Sequence, residues 1–242
     1  KLDTNINRSY MFFKIIRPYN SIVNMDVSYC SIMSLAWCND ISGKQYVQEM
    51  YEASPVKKWI KPIPIEKTIP LAEYPQAVYF KRVASILLDK TKLDNPIVRF
   101  VPTIEKEEYY SKSEWIYLFV INGRIVKIGG TRDGLQGRNK SYSCGSHVIE
   151  NGKSGKASVT NSYIYNTFDF YLKMGCQIEM YGYELPVIQL PPITILDRQD
   201  VVIQPQTYQA YETIFIDNFM KLYGFQPILC NNCDSKYKDG SR

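Results

Sequence analysis

The segment EWIYLFVINGRIVKIGGTRDGLQGRNKSYSCG, residues 114–145, reads as a hairpin followed by a helix. Two runs rich in β-branched and aromatic residues, 115–121 and 124–128, flank Asn122-Gly123, the dipeptide that most strongly signals a two-residue hairpin turn. Gly129-Gly130-Thr131 is expected to break the second strand and turn the backbone into a helix beginning near Asp133. Side chains alternate across a strand, so Tyr117, Phe119 and Ile121 share one face of the first strand, and Ile125, Lys127 and Gly129 one face of the second. In the helix, Arg138 and Tyr142 stand four apart and so lie on one face. A lysine in an apolar strand, followed by an arginine and a tyrosine one helical turn apart, is costly for a packed core and useful for holding a phosphate.

Trp115-Ile116-Tyr117, then Lys127-Ile128-Gly129, then Arg138 and Tyr142, resemble the GIY-YIG nuclease superfamily, whose two short motifs lie on adjacent strands ahead of a helix carrying an invariant arginine. Trp115 stands where the family usually has glycine, and Lys127 where it usually has the second tyrosine. Lysine there, with tyrosine one turn after the arginine, is similar to the family's Type II restriction endonucleases. In that family a helix after the third strand supplies a glutamate, and a Gly-x-x-Pro-x-Asn-like ending follows. Glu212, Gly224, Pro227 and Asn231 or Asn232 fit that order, so the resemblance covers about half the chain, from Glu114 to Asn232.

The whole chain sets the bounds. Its 242 residues suffice for one large domain or two small ones, and the 45% apolar fraction is ordinary for a globular protein. No apolar run approaches the roughly twenty residues of a bilayer span, and the first residues show no secretory h-region. A net charge of +5 and a pI near 8.7 suit a polyanionic partner without demanding one. Cys30, Cys38, Cys144, Cys176, Cys230 and Cys233 are scattered, which favours reduced thiols and an intracellular, cytoplasmic setting. Cys230 and Cys233 are half of a zinc ligand set, but the sequence has no second CxxC and a single histidine, His147. Twenty tyrosines offer many contacts to phosphates and base edges, and packing uses such residues too.

Outward from the hairpin, residues 31–53 carry apolar spacing compatible with a helix broken at Ser42-Gly43. The proline-rich stretch 55–70 reads as an extended connector or edge segment. From Tyr74, the rhythm of Ala77, Phe80, Val83, Leu87 and Leu88 predicts a helix, 96–104 a short strand, and 105–112 a charged link with a domain boundary near Ser111. Residues 145–161 read as a polar loop, in which Lys153 and Lys156 could enter a DNA groove or simply face solvent. Thr160-Asn161 is expected to cap a helix ending at Gly175. Residues 177–185 then alternate as the third strand, and 193–196 and 201–203 as short strands in a proline-bounded excursion. Ala210, Ile214, Phe215, Phe219 and Leu222 form the apolar stripe of a last helix that Gly224 stops, with Glu212 near the stripe's edge.

These readings predict an α+β fold: a small three-stranded antiparallel sheet flanked by helices in residues 112–242, with a mixed α/β extension in 1–111 that serves DNA recognition, dimerisation or scaffolding. The resemblance implies a sequence-specific Type II restriction endonuclease that hydrolyses phosphodiesters in double-stranded DNA. It implies Tyr117, Lys127, Arg138, Tyr142 and Glu212 as catalytic residues, and Glu212 as ligand of Mg²⁺ or another divalent metal such as Mn²⁺. In that scheme Tyr117, acidified by Lys127, takes a proton from water; Lys127 itself is the competing base. Arg132, Lys140, Lys153, Lys156 and Asn231 are the candidate DNA contacts, and a homodimer and a cognate methyltransferase are the implied partners. Two other functions fit the same motifs: a repair or mobile-element nuclease acting on branched or long asymmetric DNA, and a DNA-binding module that no longer cleaves. With one histidine, no Gly-x-Ser-x-Gly, no P-loop and no zinc-protease helix, other hydrolytic chemistries find no matching residues.

Overall fold

The computed structural model describes residues 41–89, 91, 97–146, 158–195, 198–201 and 205–230. Asn122 and Gly123 take φ of 46° and 75°, the paired positive dihedrals of a tight hairpin turn. The turn is also tied down from outside, by Asn122 N–H to the Gln177 carbonyl and Gln177 N–H to Asn122 Oδ1. In chain order the elements are α1 (Ile41–Ala53), β1 (Ile69–Pro70), β2 (Lys81–Asp89), β3 (Ile97–Pro102), α2 (Lys106–Tyr110), β4 (Trp115–Ile121), β5 (Arg124–Thr131) and α3 (Gly134–Ser143). They continue as α4 (Val159–Lys173), β6 (Ile178–Glu184), β7 (Ile193–Ile195), β8 (Arg198–Val201) and α5 (Tyr208–Tyr223).

The class is α+β as expected, but the main sheet has six antiparallel strands rather than three, in the order β1-β5-β4-β6-β2-β3; β7 and β8 form a separate pair. β5, β4 and β6 are the three expected strands. β2 adds to the free side of β6 and β3 to β2, while β1 covers one end of β5. The sheet therefore runs across the segment around Ser111, which joins α2 to β4.

The expected helix beyond Tyr74 is instead a five-residue 3₁₀ turn, Pro75–Tyr79, followed by strand β2. A bulge between Arg82 and Ala84 accounts for the difference. It turns Val83 and Ala84 both inward, ahead of buried Ile86 and exposed Leu87, and a strand whose alternation skips a step imitates helical spacing. Gly129 and Gly130 do not end β5 either, since both lie within the strand and face Tyr117 and Ile116 on β4. The chain turns later, at Gly134, whose φ is 75° and where a Cβ would collide with the Ser111 carbonyl.

Smaller differences follow the same local chemistry. α1 runs unbroken through Ser42-Gly43, and the part of the expected helix before residue 41 lies outside the described residues. The cap of α4 is Ser158, whose Oγ accepts from Asn161 N–H at 3.1 Å. Asn161 instead sends its side-chain amide to Ser141 on α3. The charged link holds the short helix α2, and the second strand of the excursion begins at Arg198.

All seven residues of β4 are buried, because the sheet is covered on both faces. On one face Tyr117, Phe119 and Ile121 pack with Leu135 and Tyr142 of α3 and Ile164 and Phe168 of α4. On the other, Ile116, Leu118 and Val120 pack with Phe215 and Phe219 of α5. Ile214 and Leu222, expected in the α5 stripe, face outward; Tyr208 and Tyr211 pack inward instead. No helix among the described residues is long and apolar enough to cross a membrane.

Candidate active site

Three elements bring the candidate residues together. β4 supplies Tyr117, β5 supplies Lys127, and α3, which follows β5 after a short turn, supplies Arg138 and Tyr142. Phe100 of β3 stacks on the Tyr142 ring and Phe119 meets it edge-on, while Asn139 of α3 donates to the Tyr109 hydroxyl of α2. The helix is thus fixed in rotation, with Arg138 and Tyr142 facing the strand.

The phenol oxygens of Tyr117 and Tyr142 lie 2.6 Å apart. Arg138 donates to both, from Nε to Tyr117 and from Nη2 to Tyr142, each at 2.9 Å. Its guanidinium also stands 4.4 Å from the centre of the Tyr142 ring. Asp133 pairs with its neighbour Arg132, at 3.4 Å. Proton counting is informative here. Each phenol oxygen accepts from Arg138 and one phenol must donate to the other, so the triad keeps one hydroxyl proton for a ligand.

Gly129 makes this packing possible. A Cβ there would collide with the Tyr117 hydroxyl and sit 2.5 Å from its Cζ. Gly130 plays the same part on the other side of the strand, where a Cβ would lie 3.0 Å from Glu212 Oε2 and 2.8 Å from the Tyr208 ring. Sequence reasoning treated the two glycines as a strand break; the signal it passed over was that residues opposite glycine in a hairpin can lay a large side chain across the backbone.

Lys127 is buried, opposite Phe119, and donates to the Leu229 carbonyl at 3.3 Å. The segment after α5 therefore returns along β5: Leu229 N–H reaches the Val126 carbonyl, and the Cys230 thiol both accepts from Ile128 N–H and donates to its carbonyl. Nothing in the sequence pointed to Leu229 or Cys230 as partners of β5.

Glu212 sits half-buried on α5 with its carboxylate accepting from Gly130 N–H. Burial raises its pKa, and Lys127, Arg138 and the Gly130 N–H pull it back. For Tyr117, burial is again the largest influence and Tyr142 adds to it, so the phenol is pushed above its ordinary value. Arg138 and Lys127 act in the acidifying direction and are outweighed. The expectation that Lys127 acidifies Tyr117 thus holds for the sign of that one interaction and not for the net shift. Burial raises Tyr142 as well.

Of the candidate DNA contacts, Arg132 and Lys140 are exposed at the two ends of this helix region. Lys153, Lys156 and Asn231 lie outside the described residues, as do Asn232 and Cys233. Among the described residues no group of three or more His, Cys, Asp or Glu side chains could hold a metal. A Mg²⁺ ion asks for less: one carboxylate with waters and substrate phosphate oxygens completes its shell. Glu212, a half-buried acidic oxygen donor whose anion Lys127 and Arg138 both favour, fits that requirement.

No protein-family model and no curated protein matches the sequence. Among solved structures, the chain is similar to the restriction endonuclease HPY188I in complex with product DNA, at 21% identity and a TM-score of 0.45, over 72% of this chain and 92% of that one. It is also similar to a mutant of bacteriophage T4 EndoII, at 20% identity and a TM-score of 0.40, over 62% of this chain and 96% of that one. Both likenesses are distant.

Proposed function

We propose that this protein is a metal-dependent, sequence-specific endonuclease of the GIY-YIG type, in its restriction-enzyme branch, hydrolysing phosphodiester bonds in double-stranded DNA. The observation that supports the reading is the hydrogen-bonded triad of Arg138, Tyr117 and Tyr142, with Glu212 set against Gly130 on the strand that carries Lys127.

Phosphodiester hydrolysis needs an aligned and deprotonated water, neutralised phosphate charge and a stabilised leaving oxygen. Arg138 spends Nε and Nη2 on the tyrosines; Nη1 remains to donate to a phosphate oxygen, from a guanidinium that the two phenols hold in one plane. The proton of water would pass either to a Tyr117 phenolate, with Tyr142 donating to it, or to the Lys127 amine, with the spare phenol proton then free to bond the phosphate. Glu212 would hold Mg²⁺ or Mn²⁺. When bound, the metal supplies Lewis-acid stabilisation of the departing 3′-oxygen. Cutting both strands of a palindrome calls for two copies of the site, hence a homodimer, and a cognate methyltransferase to protect host DNA.

Digestion of a sequenced plasmid with Mg²⁺, followed by mapping of the fragment ends, tests the proposal. The wild-type protein should give discrete fragments with one shared end sequence, and Glu212→Gln and Arg138→Ala should give none while still retarding DNA. Undiminished cutting by either variant, or no cutting by the wild type across diverse DNA, overturns it. Nicking confined to branched substrates would replace the restriction reading with that of a repair nuclease.

A further inference from the structure

The helix that carries Glu212 is anchored to the strand that carries Tyr117. Glu114, the residue before β4, is fixed to the sheet by its carbonyl, which accepts from Leu185 N–H at 2.8 Å. Its carboxylate crosses to Thr207, the residue before α5. There a single oxygen, Oε2, accepts both the backbone N–H at 2.8 Å and the hydroxyl at 2.7 Å. Thr207 makes no side-chain cap of its own to the helix. Glu114 therefore does from a distant strand what the third helical residue does in a capping box: it satisfies the backbone N–H at the helix entrance and places negative charge there.

This end of the sheet is also where Glu212 arrives. Trp115 pairs with Thr131, so Glu114 lies beside the end of β5 that contains Gly130, and Gly130 N–H holds the Glu212 carboxylate. Glu212 follows Thr207 in the second turn of α5, close enough to the anchor that movement of the helix entrance moves the carboxylate.

We propose that Glu114 is a positioning residue: by clamping the N-terminus of α5 to the start of β4, it sets the Glu212 carboxylate over Gly130. The role assigned to Glu212 rests on the nuclease reading; the clamp itself does not.

The test uses the full chain and two readouts. Isothermal calorimetry follows Mg²⁺ binding to the protein without DNA, and a Mg²⁺ titration follows plasmid cleavage. Glu114→Ala should weaken Mg²⁺ binding, and raise the Mg²⁺ needed for half-maximal cleavage, each about tenfold. Thr207→Val, which removes one of the two hydrogen bonds, should shift both in the same direction by less. Glu114→Gln, which keeps an acceptor oxygen, should stay near wild type. A Glu114 with only a structural role would lower the melting temperature and leave both Mg²⁺ midpoints where they were, which overturns the proposal. If Glu114→Ala does not fold, Thr207→Val decides by the same criterion. Weakened Mg²⁺ binding in a protein that never cuts DNA upholds the clamp and removes the nuclease reading; normal cutting with unmoved Mg²⁺ midpoints does the reverse.

Discussion

Tyr117 of the central strand and Tyr142 of the following helix meet tip to tip at 2.6 Å inside the fold, and Arg138 donates to both. Each of the three depends on the other two for its hydrogen bonds. Tyr117→Phe and Tyr142→Phe should therefore each destabilise the protein by about 1–3 kcal/mol, the cost of stranding a buried donor or acceptor. Each should slow cleavage by at least about 100-fold. The double variant should cost less than the two single changes added together, because the first deletion already breaks the triad. Thermal melts and plasmid-cleavage rates of the three variants close the cycle; additive losses would mean the phenols act separately.

The two glycines of β5 make opposite demands to the glycine inside α3. Gly129→Ala forces the Tyr117 ring off its place, and should destabilise by about 1–3 kcal/mol, as overpacking does, while abolishing cleavage. Gly137→Ala meets only Asp133 Cβ, at an ordinary 3.4 Å, and should stabilise α3 by up to about 1 kcal/mol with cleavage unchanged. Circular dichroism melts and initial rates separate the two; an active Gly129→Ala enzyme would show that Tyr117 need not lie where the structure has it.

What the sequence made legible follows from how local each signal is. Asn122-Gly123, the apolar run of β4 and the four-residue spacing of Arg138 and Tyr142 are decided within a few neighbours, and the structure has them as read. Glu212 was placed by motif order, a longer-range signal, and the fold brings it to Gly130. β2 was hidden because its bulge at Arg82 and Ala84 breaks the period that marks a strand. The close approach of Tyr117 to Gly129, and the return of Leu229 along Val126, are contacts between residues far apart in the chain, and no periodicity encodes them.

The pH dependence of cleavage tests Tyr117 as the base. Burial holds the Tyr117 phenol above its ordinary value despite Arg138 and Lys127. A base that titrates above the assay range gives a rate rising about tenfold per pH unit with no plateau. If Tyr117 takes the proton, log rate should climb with a slope near one to about pH 9, and Lys127→Met should lower the line without bending it. A plateau at or below about pH 8 excludes Tyr117 as the base.

Glu212 should weaken the fold it serves. Burial holds its carboxyl above the ordinary carboxylate range, because it penalises the anion more than Lys127, Arg138 and the Gly130 N–H compensate. Between the unfolded and folded pKa values the native state binds the extra proton, so this residue's contribution to stability is full at low pH and lost as pH rises through the folded pKa. Glu212→Gln imitates the protonated form and keeps an acceptor for Gly130. It should therefore raise the melting temperature at neutral pH, where each kcal/mol recovered is worth about 2–4 °C in a chain of this size. The gain should vanish below about pH 4, where the wild-type carboxyl is itself protonated. Scanning fluorimetry of both proteins from acid to neutral pH reads the difference directly. A variant less stable than wild type at neutral pH would mean that Lys127 and Arg138 favour the anion more than burial opposes it.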